Sequence, residues 1–556
     1  MFGSKFLEQS STLFLLSVAA QTTDQRCASF TFESNYTRLI ASTFFEARDH
    51  VNISTLFQAV DTNALPAFCR VQVEITTNVT ADSTALAEVW LPEDWNGRFL
   101  TIGNGGFSGS VSVGDLAFMA VNQGFAGVST DSGHSGTATD ASWALGNDNA
   151  IMDYTWRAMH LSVATGKEIV QKFYGRSHNK AYYVGCSEGG RQGLKEVQEF
   201  PDDFDGAVIG SPANWATHLF SSIVRSNLNV LPTTSSRWIS ENMWRNVIHP
   251  EVLRQCDELD GIKDGVISNP LLCSFRPETL ACHQNQDPET CLTISQIETL
   301  HKLYSDYYET NQTYIFGGFY PGSENDLSTI FGSESSLLGP HYFQNFIVKL
   351  SILLHLLVNH YDEHPFFYSD TTWDISQFDM DTILLADSIN PGGQNAVNPD
   401  LRKFTARQGK VLHYAGWAED IISAGNSVHY YETVNSFMRA NTNIEMDDFY
   451  RLFMVAGLGH CYVSDFGDGA NAFGAPLQEM AGMPPLAHDA RHNILAALVQ
   501  WVEDDVAPEN ITAVHYENNN VTAGISFTRP ICKYPASSRY VSGDPNSAES
   551  FACISY

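Results

Sequence analysis

The sequence predicts an α/β fold, a largely parallel sheet with helices on both faces and a large domain inserted into it, and three observations predict it. Strand-like and helix-like periodicities alternate up to about residue 210. Between about 216 and 404 that rhythm is lost, in a segment carrying four cysteines and irregular aromatic-rich stretches. From Val411 onward the alternation resumes.

Taken in order, Val71-Gln72-Val73-Glu74-Ile75 alternates like a half-exposed strand, and Ala87, Val89 and Leu91 make the apolar face of a second, antiparallel one. Arg98 to Ile102 reads as a buried strand running into Gly103-Asn104-Gly105-Gly106, where glycine lets backbone approach something closely. Ile151, Tyr154, Ala158 and Leu161 recur at helical steps within Asn149 to Phe173. A strand at Ala181 to Val184, a helix through Leu194 and Val197, and an apolar strand at Gly206 to Ile209 follow, which is the order of a parallel sheet. After the insertion come a strand at Val411 to Tyr414, a helix around Ser427 to Met438, a strand from Phe449 to Val455 and an amphipathic helix bearing Ile494, Leu498 and Trp501.

With 31 basic against 63 acidic residues, the net charge of −32 repels polyanions, so a nucleic-acid partner is not expected. The 43% hydrophobic content is that of a globular chain. Lys5 followed by the apolar run Leu13 to Ala20, with Val18-x-Ala20 at its end, reads as a signal peptide over residues 1–20, hence a secreted protein. The stretch from Phe346 to Val358 is too short to cross a bilayer, so no membrane segment is expected. Six N-x-Ser/Thr sequons, at Asn35, Asn52, Asn78, Asn311, Asn510 and Asn520, agree with a secreted glycoprotein. Ten cysteines without a C-x-x-C spacing point to disulfides rather than zinc. Local closure pairs Cys256 with Cys273, Cys282 with Cys291, Cys532 with Cys553 and Cys27 with Cys69, which leaves Cys186 and Cys461.

Gly185-Cys186-Ser187-Glu188-Gly189 fits G-x-S-x-G, whose small flanking residues permit a sharp strand-to-helix turn that presents a serine hydroxyl. The pattern alone is equally that of a glycine-rich turn with a capping serine; the strand before it and helix after it make Ser187 the candidate nucleophile. Gly457-Leu458-Gly459-His460-Cys461 lies after a late strand, where the histidine of the order Ser, Asp/Glu, His belongs. A Cys186–Cys461 bridge would hold its two Cα atoms roughly 5 to 6 Å apart and so bring Ser187 and His460 together. The loop after Tyr414 offers Glu419 and Asp420 as the acid, with Asp465 a more distant rival. An oxyanion hole would draw one N–H from Glu188 and one from Gly105 or Gly106.

Together with Thr130-Asp131-Ser132-Gly133-His134, Gly190-Arg191-Gln192-Gly193 and Phe200 to Gly206, these runs resemble the fungal tannase and feruloyl esterase family across nearly the whole mature chain. The resemblance implies an α/β-hydrolase fold with a large inserted lid domain: catalytic residues 21–215, lid 216–404, catalytic residues 405–556. It implies a triad containing Ser187 and His460, and a bridge between Cys186 and Cys461. The family's G-x-x-D spacing falls on Glu419, whereas its residue type, Asp, falls on Asp420; Asp420 is the narrow preference. The resemblance also implies a structural calcium ion held in the lid by Asp257, Asp260 and Asp264 and the carbonyls of Ile262 and Val266. That run offers hard oxygen ligands on a glycine-bent loop, though not in the EF-hand pattern. No organic cofactor is expected. The implied activity is release of a phenolic acid from a small or plant cell-wall ester. Ferulate or a related hydroxycinnamate is favoured over gallate. A lipase or peptidase on the same scaffold, or an inactive binding protein, is the rival reading.

Overall fold

A computed structural model describes residues 21–332, 338–347, 373–462 and 469–555. The expected signal peptide, the part of the apolar stretch beyond residue 347 and Asp465 lie outside the described residues.

The centre is one nine-stranded sheet: β1 (Thr37–Phe45), β2 (Phe68–Asn78), β3 (Ser83–Pro92), β4 (Arg98–Ile102), β5 (Ala126–Thr130), β6 (Lys180–Cys186), β7 (Gly206–Gly210), β8 (Lys410–Gly416) and β9 (Tyr450–Val455). Their spatial order is β1-β2-β3-β5-β4-β6-β7-β8-β9. The first three strands and the β3–β5 pair are antiparallel. All remaining pairs are parallel.

Alternate residues of each central strand feed two separate cores, as the two-residue period of a strand demands. Phe99, Val128, Tyr183, Ala207, Ile209 and Val411 face one core. Leu100, Ile102, Tyr182, Val184, Val208 and Leu412 face the other. Helices cover both faces: α1 (Ala158–Tyr174) packs on β5, α2 (Glu188–Glu199) on β6 and β7, α3 (Ala424–Asn441) on β8, and α4 (Ile494–Asp504) on β7 and β8. The expected helix from Asn149 is present but opens with a short helical turn, Asp148–Met152, and a wider π-helical turn, Asp153–Arg157, before α1 begins.

None of the described residues between β7 and β8 joins the central sheet. Part of that insertion has a core of its own, built on Trp244, Ile248, Val252, Leu300 and Leu327. A second cluster, including Phe107, Tyr154, Phe220, Tyr342 and Phe343, joins insertion and sheet. All five disulfides expected from the sequence are present, Cys27–Cys69, Cys186–Cys461, Cys256–Cys273, Cys282–Cys291 and Cys532–Cys553. Two strands of the sheet, β1 and β5, went unread in the sequence, as did two C-terminal hairpins, Asn510–Tyr516 with Ile525–Cys532 and Ser537–Tyr540 with Phe551–Ile554. No helix among the described residues is long and apolar enough to cross a membrane.

Candidate active site

Ser187 sits in the one-residue turn between β6 and α2 with φ 62° and ψ −120°. This left-handed backbone typically costs a non-glycine residue about 1–3 kcal/mol and persists only where the surroundings enforce it. Here they do: the Ser187 N–H donates to the Gly210 carbonyl at 3.0 Å, and its own carbonyl accepts from Arg191 and Ala213, both at 3.0 Å. The neighbouring glycines are required by space. A Cβ on Gly185 would lie 2.6 Å from the Gly189 carbonyl oxygen, one on Gly189 would lie 2.7 Å from the Asn104 carbonyl oxygen, and one on Gly190 would lie 2.4 Å from the Gly210 carbonyl oxygen.

The disulfide holds the Cα atoms of Cys186 and Cys461 5.8 Å apart across 275 residues of chain, which brings the end of β6 to the loop after β9. Ser187 and His460 consequently line the same cavity, of about 270 Å³. His460 Nδ1 pairs with the Glu419 carboxylate at 2.9 Å and 3.2 Å, which leaves Nε2 as the ring nitrogen free of that carboxylate. Of the two acids the sequence offers, it is Glu419, and not the narrowly preferred Asp420, that bonds the imidazole. The path of this loop brings Glu419, 1% exposed, to the imidazole. Asp420 is half-buried, and desolvation with the charges of Asp326 and Glu419 pushes its carboxyl up to about 7.

Burial pulls the His460 pKa down, but the charge and hydrogen bond of Glu419, joined by the charge of Asp420, outweigh it and leave the imidazole above its ordinary 6.5. Only neutral imidazole can take a proton. Ester cleavage is therefore expected to decline on the acid side through a kcat/KM pKa higher than that of a free histidine, checked by a pH–rate profile from pH 4 to 9.

On the other side of Ser187, the loop after β4 carries the two candidate oxyanion donors. A Cβ on Gly105 would strike the Phe57 ring at 2.2 Å, and Gly106 has φ +55°. The N–H of Glu188 opens α2, where no carbonyl of the helix can accept it. Gly105 and Gly106 line the Ser187 cavity. Asn104 fixes this loop: its amide donates to the carbonyls of Ser110 (3.0 Å) and Thr130 (2.8 Å), and its Oδ1 accepts from Ser132 (2.8 Å) and Gln192 (3.1 Å). Beneath the turn the fully buried Arg191 pairs with Glu188 and donates to the carbonyls of Thr155 (2.8 Å) and Gln394 (3.1 Å). The sequence reading assigned these three polar residues no role. The signal lay in their setting, since a charged or amide side chain inside a glycine-rich turn has to be holding something.

The acidic loop of the insertion keeps its carboxylates close but committed. Asp257 accepts from the backbone N–H groups of Asp264 and Gly265, Asp260 from Ile262 N–H and Ser268, and Asp264 pairs with Arg529 at 2.6 Å. Burial, and then the charges of Asp257 and Asp264, push Asp260 up to about 6. Three acids against one guanidinium is a donor set that suits a hard cation. Among the described residues, however, the three side chains whose ligand atoms already lie within 4.8 Å of one another are His160, Glu196 and Asp203. There the Lys167 ammonium, 3.5 Å from Asp203, already supplies positive charge.

The family profile described as tannase and feruloyl esterase matches residues 69–554. The chain belongs to that family. It is a carboxylic ester hydrolase of the feruloyl esterase and tannase type. A relative named probable feruloyl esterase B-2, from Aspergillus flavus, is 38% identical over 471 residues, covering 84% of this chain and 83% of its own. The crystal structure of feruloyl esterase B from Aspergillus oryzae matches with a TM-score of 0.84 at 32% identity, over 96% of this chain and all 100% of that one. A second structure, described as an esterase from the same fungus, gives a TM-score of 0.85 at 30% identity with the same coverage. The family's α/β fold, expected from the sequence, is the fold observed.

Proposed function

We propose that the protein is a secreted serine esterase that releases ferulate or a related hydroxycinnamate from small or plant cell-wall esters through an acyl-enzyme. The observation that carries the reading is the Glu419–His460 hydrogen bond of 2.9 Å, in a loop tied by a disulfide to the residue beside Ser187. The name of the A. flavus relative and of the A. oryzae structure support the acyl group.

In this reading the Ser187 hydroxyl attacks the ester carbonyl while His460 Nε2 takes its proton and Glu419 stabilises the resulting imidazolium. The oxyanion is met by the Glu188 N–H and by Gly105 or Gly106. His460 then protonates the departing alcohol and activates water, which releases the acid and restores Ser187. Secretion is supported by five disulfides and by five exposed sequon asparagines, Asn35, Asn52, Asn311, Asn510 and Asn520.

A substrate panel tests the reading: methyl ferulate is expected to be cleaved faster than methyl gallate, and both faster than a long-chain ester. A fluorophosphonate should label wild type but not Ser187→Ala. Turnover of the long-chain ester alone would refute the phenolic acyl group, and a folded wild type that resists labelling would refute the serine mechanism.

The acidic loop would hold calcium through Asp257, Asp260 and Asp264 and the carbonyls of Ile262 and Val266, neutralising buried charge there and stiffening the insertion rather than touching the ester. Chelation by EDTA is expected to lower Tm by several degrees, and added Ca²⁺ to restore it, without changing kcat well below Tm. In Asp260→Asn the calcium response of Tm should vanish.

A further inference from the structure

The cavity at Ser187 is mostly apolar, walled by side chains such as Phe57, Ile102, Leu338, Ile421 and Leu477, yet a carboxylate lies within it. Asp115 is 4% exposed, and among the described residues it forms no ion pair with a lysine, arginine or histidine. Its Oδ1 accepts from the Leu477 N–H at 2.9 Å and its Oδ2 from Gln58 Nε2 at 2.9 Å, while Gln58 Oε1 accepts the Asp115 N–H at 3.0 Å. Gln58 also lines the cavity, so its two bonds to Asp115 fix the carboxylate's orientation.

A carboxylate can accept about four hydrogen bonds, and this one receives two from the protein. A buried charge with spare acceptor capacity and no counter-ion is costly, and packing alone gains nothing from it. Burial, opposed by those two donors, puts its pKa at about 6. Burial and the charge of Asp115 push Glu479 up to about 8, and His488 Nδ1 lies 3.5 Å from its carboxylate. The buried Tyr414, whose hydroxyl also feels the Asp115 charge, donates to the Cys461 carbonyl at 3.4 Å.

An apolar cavity with an unneutralised acceptor in its lining fits an aromatic ring bearing a hydroxyl donor. We propose that Asp115, oriented by Gln58, is a specificity-determining residue that accepts a hydrogen bond from a ring hydroxyl of the acyl group. This rests on the phenolic-ester reading above and adds to it the group that reads the phenol. The acceptor is inherently selective, because an acyl ring without the hydroxyl leaves the carboxylate's remaining acceptor sites desolvated and unfilled.

The test is the ratio of kcat/KM for methyl 4-hydroxycinnamate and methyl 3-hydroxycinnamate to that for methyl cinnamate, which lacks the hydroxyl. Wild type should favour at least one hydroxylated ester by 10-fold or more. Asp115→Asn should reduce that ratio about 10- to 100-fold. Gln58→Leu, which leaves the charge but frees its orientation, should reduce it partly and keeps the test available if Asp115→Asn fails to fold. An equal fall on all three esters would assign Asp115 a structural role and overturn the proposal, as would a wild type indifferent to the hydroxyl. If wild type cleaved none of the aromatic esters while cleaving a long-chain one, the parent reading would fall instead.

Discussion

Replacing Glu419 with glutamine is expected to lower kcat by about 10³- to 10⁴-fold, because an amide at this position no longer selects the productive imidazole tautomer or stabilises the imidazolium. KM should change far less. Asp420→Asn is the informative partner. It removes a charge that, once Asp420 ionises near pH 7, helps raise the His460 pKa, so the upper part of the acid limb of the pH–rate profile should move slightly to lower pH while kcat on the plateau stays within about 3-fold. Stability should change as well. The unfolded Asp420 carboxyl loses its proton near 3.8, and the folded one holds it to about 7. Between those values the folded state binds more protons, so this group's contribution to stability falls as pH rises through that window. Asparagine does not suffer that loss. Denaturation at pH 5 and pH 8 should therefore find the variant gaining on wild type at the higher pH, by roughly 1 to 3 kcal/mol. A large kcat loss in Asp420→Asn with near-normal Glu419→Gln would reverse the assignment of the acid.

Removing the Cys186–Cys461 bridge by paired alanine substitution should have the next largest effect. Closing a loop of 275 residues restricts the unfolded chain enough to contribute about 5.6 kcal/mol in the chain-entropy treatment. The same substitution frees the His460 loop relative to Ser187. A misplacement of about 1 Å can cost 10²-fold in rate, so kcat should drop by at least that much at temperatures where the variant remains folded. Paired removal of Cys27 and Cys69 is the control. It should lower Tm and leave kcat unchanged, since that bridge joins the N-terminal segment to β2. Equal kcat in the two variants would show that the central bridge does not position the histidine.

What the sequence made legible follows from burial. β2, β3, β4, β6, β7, β8 and β9 stand out because their residues either alternate or are mostly apolar. β1 escapes because it is the edge strand and most of its residues are only partly covered, so neither face shows a pattern. β5, Ala126-Gly127-Val128-Ser129-Thr130, is wholly buried, but its small residues look like a turn. Gly127 is small because a Cβ there would meet Ala120 and Leu116 at 2.5 and 2.9 Å. Ser187 and His460 could be named because the turn and the cysteine arithmetic are encoded locally. The choice between Glu419 and Asp420 could not, since it depends on the path of one loop. Asp115 and Gln58 meet only in the folded chain, 57 residues apart, and neither belongs to a recognisable pattern.

The bridge between Cys186 and Cys461 also sets a condition on how the chain is made. At synthesis rates of roughly 5–20 residues per second, the Cys186 thiol waits about 15 to 55 seconds for its partner to appear. During that wait Cys256, Cys273, Cys282 and Cys291 all emerge. Each is closer along the chain than Cys461, and each is a competent wrong partner. β8, which pairs with β7 across the whole insertion, is likewise absent until residue 410. Correct assembly therefore depends on the insertion closing its own two disulfides first, or on a thiol–disulfide exchange catalyst that can undo premature bonds to Cys186. A host lacking such a catalyst should accumulate full-length chains with the right number of disulfides and no reactive serine.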